Sequence, residues 1–193
     1  MGCSCVLASA SPRRREILER LGLSFIVDPA ASEYAPPGLP PNRRVLELAR
    51  GKAEEVAARH PDAVVIGADT MVVIDGKALG KPADPQQAVA MLLQLQGRSH
   101  EVLTGVWICG GGRASGFVDR TEVIFYPMTR QQADAYVATG EPMDKAGAYG
   151  IQGIGMRYIR GIHGDFYTVM GLPGARLLRV LQEEWPTELE IFS

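Results

Sequence analysis

Apolar runs alternate along the chain with segments of helical periodicity, and this alternation predicts the secondary structure. Residues 4–8 and 63–68 are continuous apolar runs, which are typical of strands covered on both faces. The predicted helices share apolar residues at intervals of three and four, and they begin near Pro12, Asn42, Pro85, Thr129 and Pro173. Helices that interleave with strands indicate an α/β fold with a mixed sheet.

Turn signals define the remaining elements. Asp75-Gly76 favours a tight hairpin turn, because both positions of that turn need a positive φ. Thr129 and Gln132 form a capping box for a helix that ends near Gly140. The other predicted strands are apolar and lie next to glycine turns or to the hairpin: residues 71–74, 77–79, 100–109, 117–126, 158–162 and 166–170.

Length and composition fit one globular domain. The chain has 193 residues, of which 46% are hydrophobic and 22% charged, so it has the composition of a folded protein. We find no internal repeat and no clear linker, and we therefore predict a single domain over residues 1–193. The net charge of −2 gives no overall attraction to nucleic acid or to anionic lipid. An anion-binding site would have to be a local cluster of cations.

The three cysteines indicate a reducing compartment. Cys3, Cys5 and Cys109 are too few for a disulfide framework, and they lack the spacing of a zinc site. The N-terminus has no secretory signal pattern, and no run approaches 18 apolar residues. These features predict a soluble, cytoplasmic protein with no membrane partner.

The first candidate site lies where the first strand meets the first helix. Ser9, Ser11 and Pro12 precede three consecutive arginines, Arg13, Arg14 and Arg15, which we place in the first helical turn. A helix N-terminus carries a partial positive charge, so cations there are unfavourable unless an anion is bound. A phosphate group would meet that condition. The alternative is a solvated basic face behind a serine cap.

The second candidate is Asp69 in the motif Gly67-Ala68-Asp69-Thr70. We predict that it lies at the end of the buried strand, where open α/β sheets bind their ligands. A carboxylate there could hold a metal ion or activate a water molecule. The alternative is a turn-forming aspartate.

Three further charged residues carry no strong signal of their own. Lys81 follows the hairpin in Leu79-Gly80-Lys81-Pro82, Glu33 lies in the long loop of residues 28–41, and Lys52 lies on the second helix. Taken singly, each is typical of a solvated surface residue.

The fourth candidate is the glycine-rich loop over residues 141–153. Asp144 and Lys145 could neutralise each other, Tyr149 could stack on a ligand, and Gln152 could pair with a planar polar edge. The alternative is a surface loop with a structural tyrosine. The three histidines lie far apart in the sequence and suggest no triad and no metal site.

Together these segments resemble the Maf family of nucleoside triphosphate pyrophosphatases. The resemblance extends from Leu7 to about Leu181, and one small departure is Ser32, which precedes Glu33 where the family often has a second acid. The motifs that carry it are Leu7-Ala8-Ser9-Ala10-Ser11-Pro12-Arg13-Arg14, Leu48-Ala49 with Lys52-Ala53, Val65-Ile66-Gly67-Ala68-Asp69-Thr70, Leu79-Gly80-Lys81-Pro82, Gly97 through His100 with Val102 and Thr104, Asp144-Lys145-Ala146-Gly147-Ala148-Tyr149-Gly150-Ile151-Gln152-Gly153, and Val169 with Gly171-Leu172-Pro173.

The resemblance implies a fold, a reaction and a cofactor. The fold is an elongated α/β protein with two lobes, a mixed sheet and a central cleft, similar to the ITPase fold. The reaction cleaves a nucleoside triphosphate between the α and β phosphates with a divalent metal, Mg²⁺ or Mn²⁺. The resemblance also leans towards a homodimer, with a nucleotide as substrate and no stable nucleic-acid partner.

The resemblance implies a role for each candidate residue. Asp69 matches the proton acceptor, and Glu33 with Asp69 matches the metal side of the site. The positions that match triphosphate contacts are Ser9, Arg13, Arg14, Lys52 and Lys81. The positions tied to the choice of base are Arg13, Thr70 and Gln152.

The loop around Gln152 resembles the subfamily that acts on dTTP and UTP, in a house-cleaning role. The subfamily that hydrolyses 7-methyl-GTP tends to carry a cysteine after the aspartate that matches Asp144, and a glutamate near the position of Gln152. We therefore expect a dTTP/UTP pyrophosphatase. Two alternatives stay open here, namely a 7-methyl-GTP pyrophosphatase and a non-enzymatic regulator of septum formation and cell division.

Overall fold

The computed structural model describes residues 5–31 and 33–186. Cys3, Ser4 and Ser32, on which parts of the sequence analysis fall, lie outside these residues. Within them the chain forms seven strands: β1 (Cys5–Leu7), β2 (Phe25–Val27), β3 (Val64–Ile74), β4 (Lys77–Leu79), β5 (Ser99–Gly110), β6 (Arg113–Phe125) and β7 (Ile159–His163). The same residues form six α-helices: α1 (Pro12–Arg20), α2 (Pro41–Ala57), α3 (Pro85–Leu95), α4 (Arg130–Val137), α5 (Phe166–Met170) and α6 (Gly174–Glu184).

The strands form one mixed sheet in the order β2-β1-β3-β5-β6-β7, and β4 pairs with β3. β1 runs parallel to β2 and to β3, whereas β4 is antiparallel to β3 and β7 is antiparallel to β6. The predicted α/β class with a mixed sheet is confirmed.

The chain divides into two compact units. The described residues of the first unit fall within Met1–Asp69, Thr104–Asp119 and Gly171–Ser193, and the second unit comprises Thr70–Leu103 and Arg120–Met170. The boundary between Asp69 and Thr70 therefore falls inside strand β3. The expectation of a single domain with a central cleft stays a prediction.

In the first unit, α2 lies directly on the sheet. A Cβ atom at Gly67 of β3 would come within 2.3 Å of the carbonyl oxygen of Ala49. A Cβ atom at Gly105 of β5 would come within 2.6 Å of the carbonyl oxygen of Val45. Since only glycine permits so close an approach, these two positions fix how deeply α2 sits on the sheet. Lys52 on α2 is brought to the sheet surface in this way.

In the second unit, α3 and α4 pack on a core that includes two buried tyrosines, Tyr136 and Tyr149. The Asp84 side chain accepts a hydrogen bond from the amide of Gln87, and Thr129 forms the predicted capping box with Gln132. These caps begin α3 and α4 at the positions that the sequence predicts.

The hairpin at Asp75-Gly76 is also confirmed. Both residues have a positive φ, 50° for Asp75 and 73° for Gly76, as the tight turn between β3 and β4 requires. Within the described residues, no helix is long and apolar enough to cross a membrane.

Three predicted details of the elements differ from the structure. The second helix begins at Pro41 with Pro40 as its N-cap, so Asn42 does not cap it. Proline fits the first helical position because the amide it lacks has no partner there. Ser11 is the N-cap residue of α1, as predicted, but its side chain makes no capping hydrogen bond.

The third error concerns residues 166–170, which were predicted as a strand and form helix α5. The Asp165 side chain accepts a hydrogen bond from the amide of Tyr167, and the Asp165 carbonyl accepts one from Thr168. This local cap turns the chain into a helix despite its β-prone composition. Tertiary context adds to it, because Thr121 Oγ1 donates to the same carbonyl.

Candidate functional site

Asp69 lies in the middle of strand β3, not at its end as the sequence predicts. Its side chain is 16% exposed, and Asp69 and Thr70 are the half-buried pair in a strand that is otherwise buried. No proline or glycine follows Ala68 before the hairpin turn, so the apolar residues from Met71 onward continue the same strand to its pairing with β4. The candidate carboxylate thus lies at a half-buried point of an otherwise buried strand.

Lys52 joins two carboxylates within the first unit. Its Nζ lies 2.7 Å from Asp69 Oδ1 and 3.2 Å from Glu33 Oε1. The lysine side chain is only 10% exposed, whereas that of Glu33 is 72% exposed. Lys52 is therefore not the solvated surface lysine that the sequence suggests when this residue is taken alone, because the close contact of α2 with Gly67 places it beside Asp69.

Arg14 binds the loop that follows β1 and the turn that precedes helix α6. Its Nη1 donates to Ser9 Oγ at 3.0 Å, and its Nε donates to the carbonyl oxygen of Gly171 at 2.8 Å. Burial lowers the pKa of the Arg14 guanidinium, and the negative charges of Asp69 and Glu33 partly offset this shift. Arg14 thus interacts electrostatically with both carboxylates.

The first unit therefore brings together most of the predicted phosphate and metal residues. Arg13 also belongs to this group, since its positive charge lowers the pKa of Arg14 further. The predicted residues that the first unit holds are Ser9, Arg13, Arg14, Glu33, Lys52 and Asp69. The contact of the Gly171 carbonyl with Arg14 could not be predicted, because no side-chain pattern reveals a backbone acceptor.

The second unit holds Lys81, Gln152 and Thr70. Lys81 and Gln152 are exposed. A hydrogen bond of 3.1 Å from the amide of Gly147 to the carbonyl of Gly80 ties the loop of Lys81 to the loop of Gln152. Gly147 has a φ of 69°, which favours glycine. The structure therefore connects the two loops that carry Lys81 and Gln152.

Tyr149 is a core residue, so the prediction that it stacks on a ligand is wrong. Its hydroxyl lies 2.7 Å from His100 Nε2, and both rings pack edge-to-face against Phe125. Burial lowers the pKa of His100 to about 4. The tyrosine anchors the glycine-rich loop to the core, as the structural alternative proposed.

The loop of Gln152 is also held by a pair that the sequence analysis missed. The Tyr136 hydroxyl donates to Glu141 Oε1 at 2.7 Å. The other oxygen of Glu141 accepts a hydrogen bond of 2.8 Å from the amide of Ile154. The available signal in the sequence was Glu141 itself, an acid at the start of a glycine-rich segment. Such a segment exposes backbone amides that a carboxylate can bind.

Asp69 and Glu33 have the donor chemistry that a divalent metal requires. Among the described residues, no group of three or more histidine, cysteine, aspartate or glutamate side chains forms a metal site. Mg²⁺ commonly takes one or two carboxylates and completes its shell with water and substrate phosphate oxygens. Two carboxylates brought to one ammonium group, as Asp69 and Glu33 are at Lys52, fit that requirement.

Similarity to known proteins covers nearly the whole chain. The family model described as "Maf-like protein" matches residues 4–184. The chain belongs to the Maf family. This membership agrees with the resemblance that the motifs around Ser9, Asp69 and Gln152 indicate.

Several Maf relatives carry the name dTTP/UTP pyrophosphatase. The relative from Bacillus velezensis is 50% identical over 92% of this chain and 95% of its own. That from Moorella thermoacetica is 54% identical over 87% and 88%. That from Koribacter versatilis is 45% identical over 94% and 95%. These names favour neither the 7-methyl-GTP alternative nor the non-enzymatic regulator.

A solved structure supports the fold. The Staphylococcus aureus Ham1 protein superposes with a TM-score of 0.52 over 93% of this chain and 98% of its own, at 14% sequence identity. At this identity the likeness concerns the fold alone. It agrees with the predicted similarity to the ITPase fold.

Proposed function

We propose that this Maf protein hydrolyses dTTP and UTP, together with modified pyrimidine nucleotides, to the monophosphate and pyrophosphate. The observation that carries the proposal is the contact of buried Lys52 with both Asp69 and Glu33, next to Arg14. The names of the Maf relatives supply the substrate class. House-cleaning removal of unwanted nucleotides is the role we propose for this activity.

The triphosphate binds the cations of the site in this proposal. Arg13, Arg14 and Lys52 concentrate positive charge in a chain whose net charge is −2. Ser11 makes no side-chain capping hydrogen bond, and the positive end of α1 is the proposed phosphate site together with Ser9. Lys81 is a further cation that the family resemblance assigns to the triphosphate. Charge neutralisation of this kind is the main catalytic requirement of phosphoryl transfer.

Asp69 is the proposed general base. Lys52 Nζ at 2.7 Å fixes the orientation of the carboxylate, which accepts the proton of the attacking water. Arg14 and Lys52 stabilise the negative charge that develops on the phosphate oxygens. Covalent catalysis is not needed in this scheme.

Glu33 and Asp69 are the residues that we propose to hold a divalent metal, Mg²⁺ or Mn²⁺. Their carboxylate oxygens are the ligands that these ions prefer. When bound, the metal would neutralise phosphate charge. The Glu33 side chain is 72% exposed, so a ligand in solvent can reach its carboxylate.

Gln152 is the proposed reader of the base, with Thr70 and Arg13 as further determinants. Its neutral amide offers one donor and one acceptor, which match the alternating O4, N3–H and O2 edge of thymine and uracil. A base with the wrong edge would leave these polar groups unpaired, and such mismatches reject a substrate strongly.

We also propose a homodimer that acts in the cytoplasm, without a stable nucleic-acid or membrane partner. The dimer rests on the family resemblance, and the location rests on the three cysteines, which indicate a reducing compartment. Light scattering tests the first point, since a dimer has twice the 20.8 kDa mass of one chain. A monomer at micromolar concentration would contradict it.

A panel of nucleotides with Mg²⁺ or Mn²⁺ tests the proposed function. We expect kcat/KM for dTTP and UTP to exceed the values for CTP, ATP and 7-methyl-GTP. A preference for a purine or for 7-methyl-GTP would contradict the substrate, and no turnover on any nucleotide would contradict the activity itself.

A further inference from the structure

Tyr136 and Glu141 form a network around the loop of Gln152 in the second unit. Glu141 Oε1 accepts hydrogen bonds from the Tyr136 hydroxyl at 2.7 Å and from the amide of Gly155 at 3.1 Å. Glu141 Oε2 accepts one from the amide of Ile154 at 2.8 Å. The Tyr136 hydroxyl in turn accepts one from the amide of Gly150 at 3.1 Å. The network thus binds the chain on both sides of Gln152.

Three glycines let the loop wrap around this pair. A Cβ atom at Gly153 would lie 2.4 Å from Glu141 Oε2, and one at Gly155 would lie 2.5 Å from the Tyr136 hydroxyl. One at Gly150 would lie 3.3 Å from Glu141 Oε1. Because any larger residue would push the network apart, the backbone of residues 150–155 is shaped to fit it.

The negative charge of Glu141 lets its carboxylate accept the hydrogen bonds that hold the loop. Although burial raises the pKa of its carboxyl, hydrogen bonds from Tyr136 and from the amides of Ile154 and Gly155 lower it overall. An ionised carboxylate can accept all three bonds at once, which a neutral amide cannot. Lys145 adds a hydrogen bond of 2.7 Å from its Nζ to the Glu141 carbonyl.

We propose that Tyr136 and Glu141 are positioning residues that set the base preference of the enzyme by holding the loop of Gln152. The inference rests on the proposed function, because it needs Gln152 to contact the base. Gln152 itself is exposed, so its own side chain does not fix its place. The rigidity of the loop then determines how well its amide meets the edge of thymine or uracil.

Glu141→Gln tests this proposal with little change of volume. The amide group must place its N–H₂ either against the amide of Ile154 or against the donors at Oε1, so one loop contact is lost. We expect the ratio of kcat/KM for UTP over CTP to fall by about tenfold, since hydrogen bonds to charged groups have effects of this size. Glu183→Gln, at an exposed position of α6, is the matched control and should leave the ratio unchanged.

A double-mutant cycle separates positioning from a general loss of stability. If Glu141 acts through Gln152, Glu141→Gln should lower the UTP/CTP ratio in the wild type and have no further effect on it in the Gln152→Ala background. Equal effects in both backgrounds would overturn the proposal. An unchanged UTP/CTP ratio in folded Glu141→Gln would also overturn it. In either case a preference of the wild type for UTP would leave the proposed function intact.

Tyr136→Phe is a second variant in case Glu141→Gln does not fold. It removes only the hydroxyl and leaves the amide of Gly150 without this acceptor. We expect the same direction of change in the UTP/CTP ratio, with Tyr126→Phe at a half-exposed tyrosine as the control. A ratio equal to that of the wild type would contradict the role of Tyr136.

Discussion

Asp69 and Lys52 depend on each other at the level of single residues. A half-buried carboxylate and a buried ammonium lie 2.7 Å apart, and each would be costly to bury without the other. Glu33 shares the ammonium but is largely exposed, so it can leave the contact at little cost. This asymmetry suits a site in which one carboxylate is fixed and the other is free to move.

Asp69→Asn should abolish turnover while the protein stays folded. The amide keeps the size of the side chain and can still accept a hydrogen bond from Lys52, but it is not a base. Loss of a general base typically lowers the rate by about 10²–10⁴-fold. The measurement is kcat with UTP, with exposed Asp62→Asn as a control that keeps wild-type activity. Near wild-type turnover in folded Asp69→Asn would refute the role of Asp69.

Lys52→Ala and Lys81→Ala should differ in their effect on stability. Both should lower kcat/KM for UTP, because each removes a proposed phosphate contact. Lys52→Ala should also lower the free energy of unfolding by about 1–3 kcal/mol, since it leaves Asp69 without its charged donor. Exposed Lys81→Ala should change that free energy by less than about 0.5 kcal/mol. Urea unfolding checks the difference, and equal stability of the two variants would contradict the structure.

His100 should make the folded state sensitive to acid. Its pKa is about 4 in the folded protein, against an ordinary value of 6.5, so the unfolded chain binds the proton first as the pH falls. Stability from this group is therefore full above pH 6.5 and is lost between pH 6.5 and 4, by about 3 kcal/mol. In His100→Gln this contribution should disappear. Urea unfolding at pH 7 and pH 4.5 measures it, and parallel losses in the two proteins would contradict the assignment.

At the scale of elements, the position of helix α2 places Lys52 beside Asp69. Gly67→Ala would set a methyl group 2.3 Å from the carbonyl oxygen of Ala49, so α2 would have to move. We expect a loss of about 1–3 kcal/mol in the free energy of unfolding, and lower activity because Lys52 moves with the helix. Gly161→Ala in β7 has open space around it and serves as the control. A fully stable and active Gly67→Ala would show that α2 is placed by other contacts.

Much of the element pattern could be predicted from the sequence, because local signals and tertiary packing agree there. Pro12 begins α1, Asp84 caps α3 and Asp75-Gly76 turns the hairpin, each by local chemistry. The continuity of β3 through Asp69 could not be predicted, because a polar pair inside a strand has the composition of a turn. The predicted strand at residues 166–170 is wrong for a related reason. The helix cap at Asp165 outweighs the β propensity of the residues that follow it.

The candidate site was only partly predictable. The residues could be named through their motifs, but the burial of Lys52 depends on the close packing of α2 against Gly67, which is a tertiary contact. The buried place of Tyr149 likewise depends on its bond to His100, which lies 49 residues away in the chain. The only local sign of the Tyr136–Glu141 pair is an acid at the start of a glycine-rich segment, and its partners, which are mostly backbone amides, carry no side-chain pattern.

At the scale of the whole molecule, the net charge is −2, and the candidate phosphate-binding cations form local groups within it. The chain therefore has no general affinity for polyanions, and binding of a triphosphate must come from the residues of its local sites. The first unit holds the candidate base Asp69 and most of the proposed phosphate-binding residues. The second unit holds Gln152, the proposed reader of the base.

The most direct test of the central claim is the identity of the bond that breaks in UTP. Phosphorus NMR of the wild-type reaction with Mg²⁺ should show UMP and pyrophosphate as the first products. UTP with a methylene bridge between the α and β phosphates should resist cleavage, whereas the β,γ-methylene analogue should still be hydrolysed. Release of orthophosphate and UDP, or cleavage of the α,β-methylene analogue at its other bond, would contradict the account.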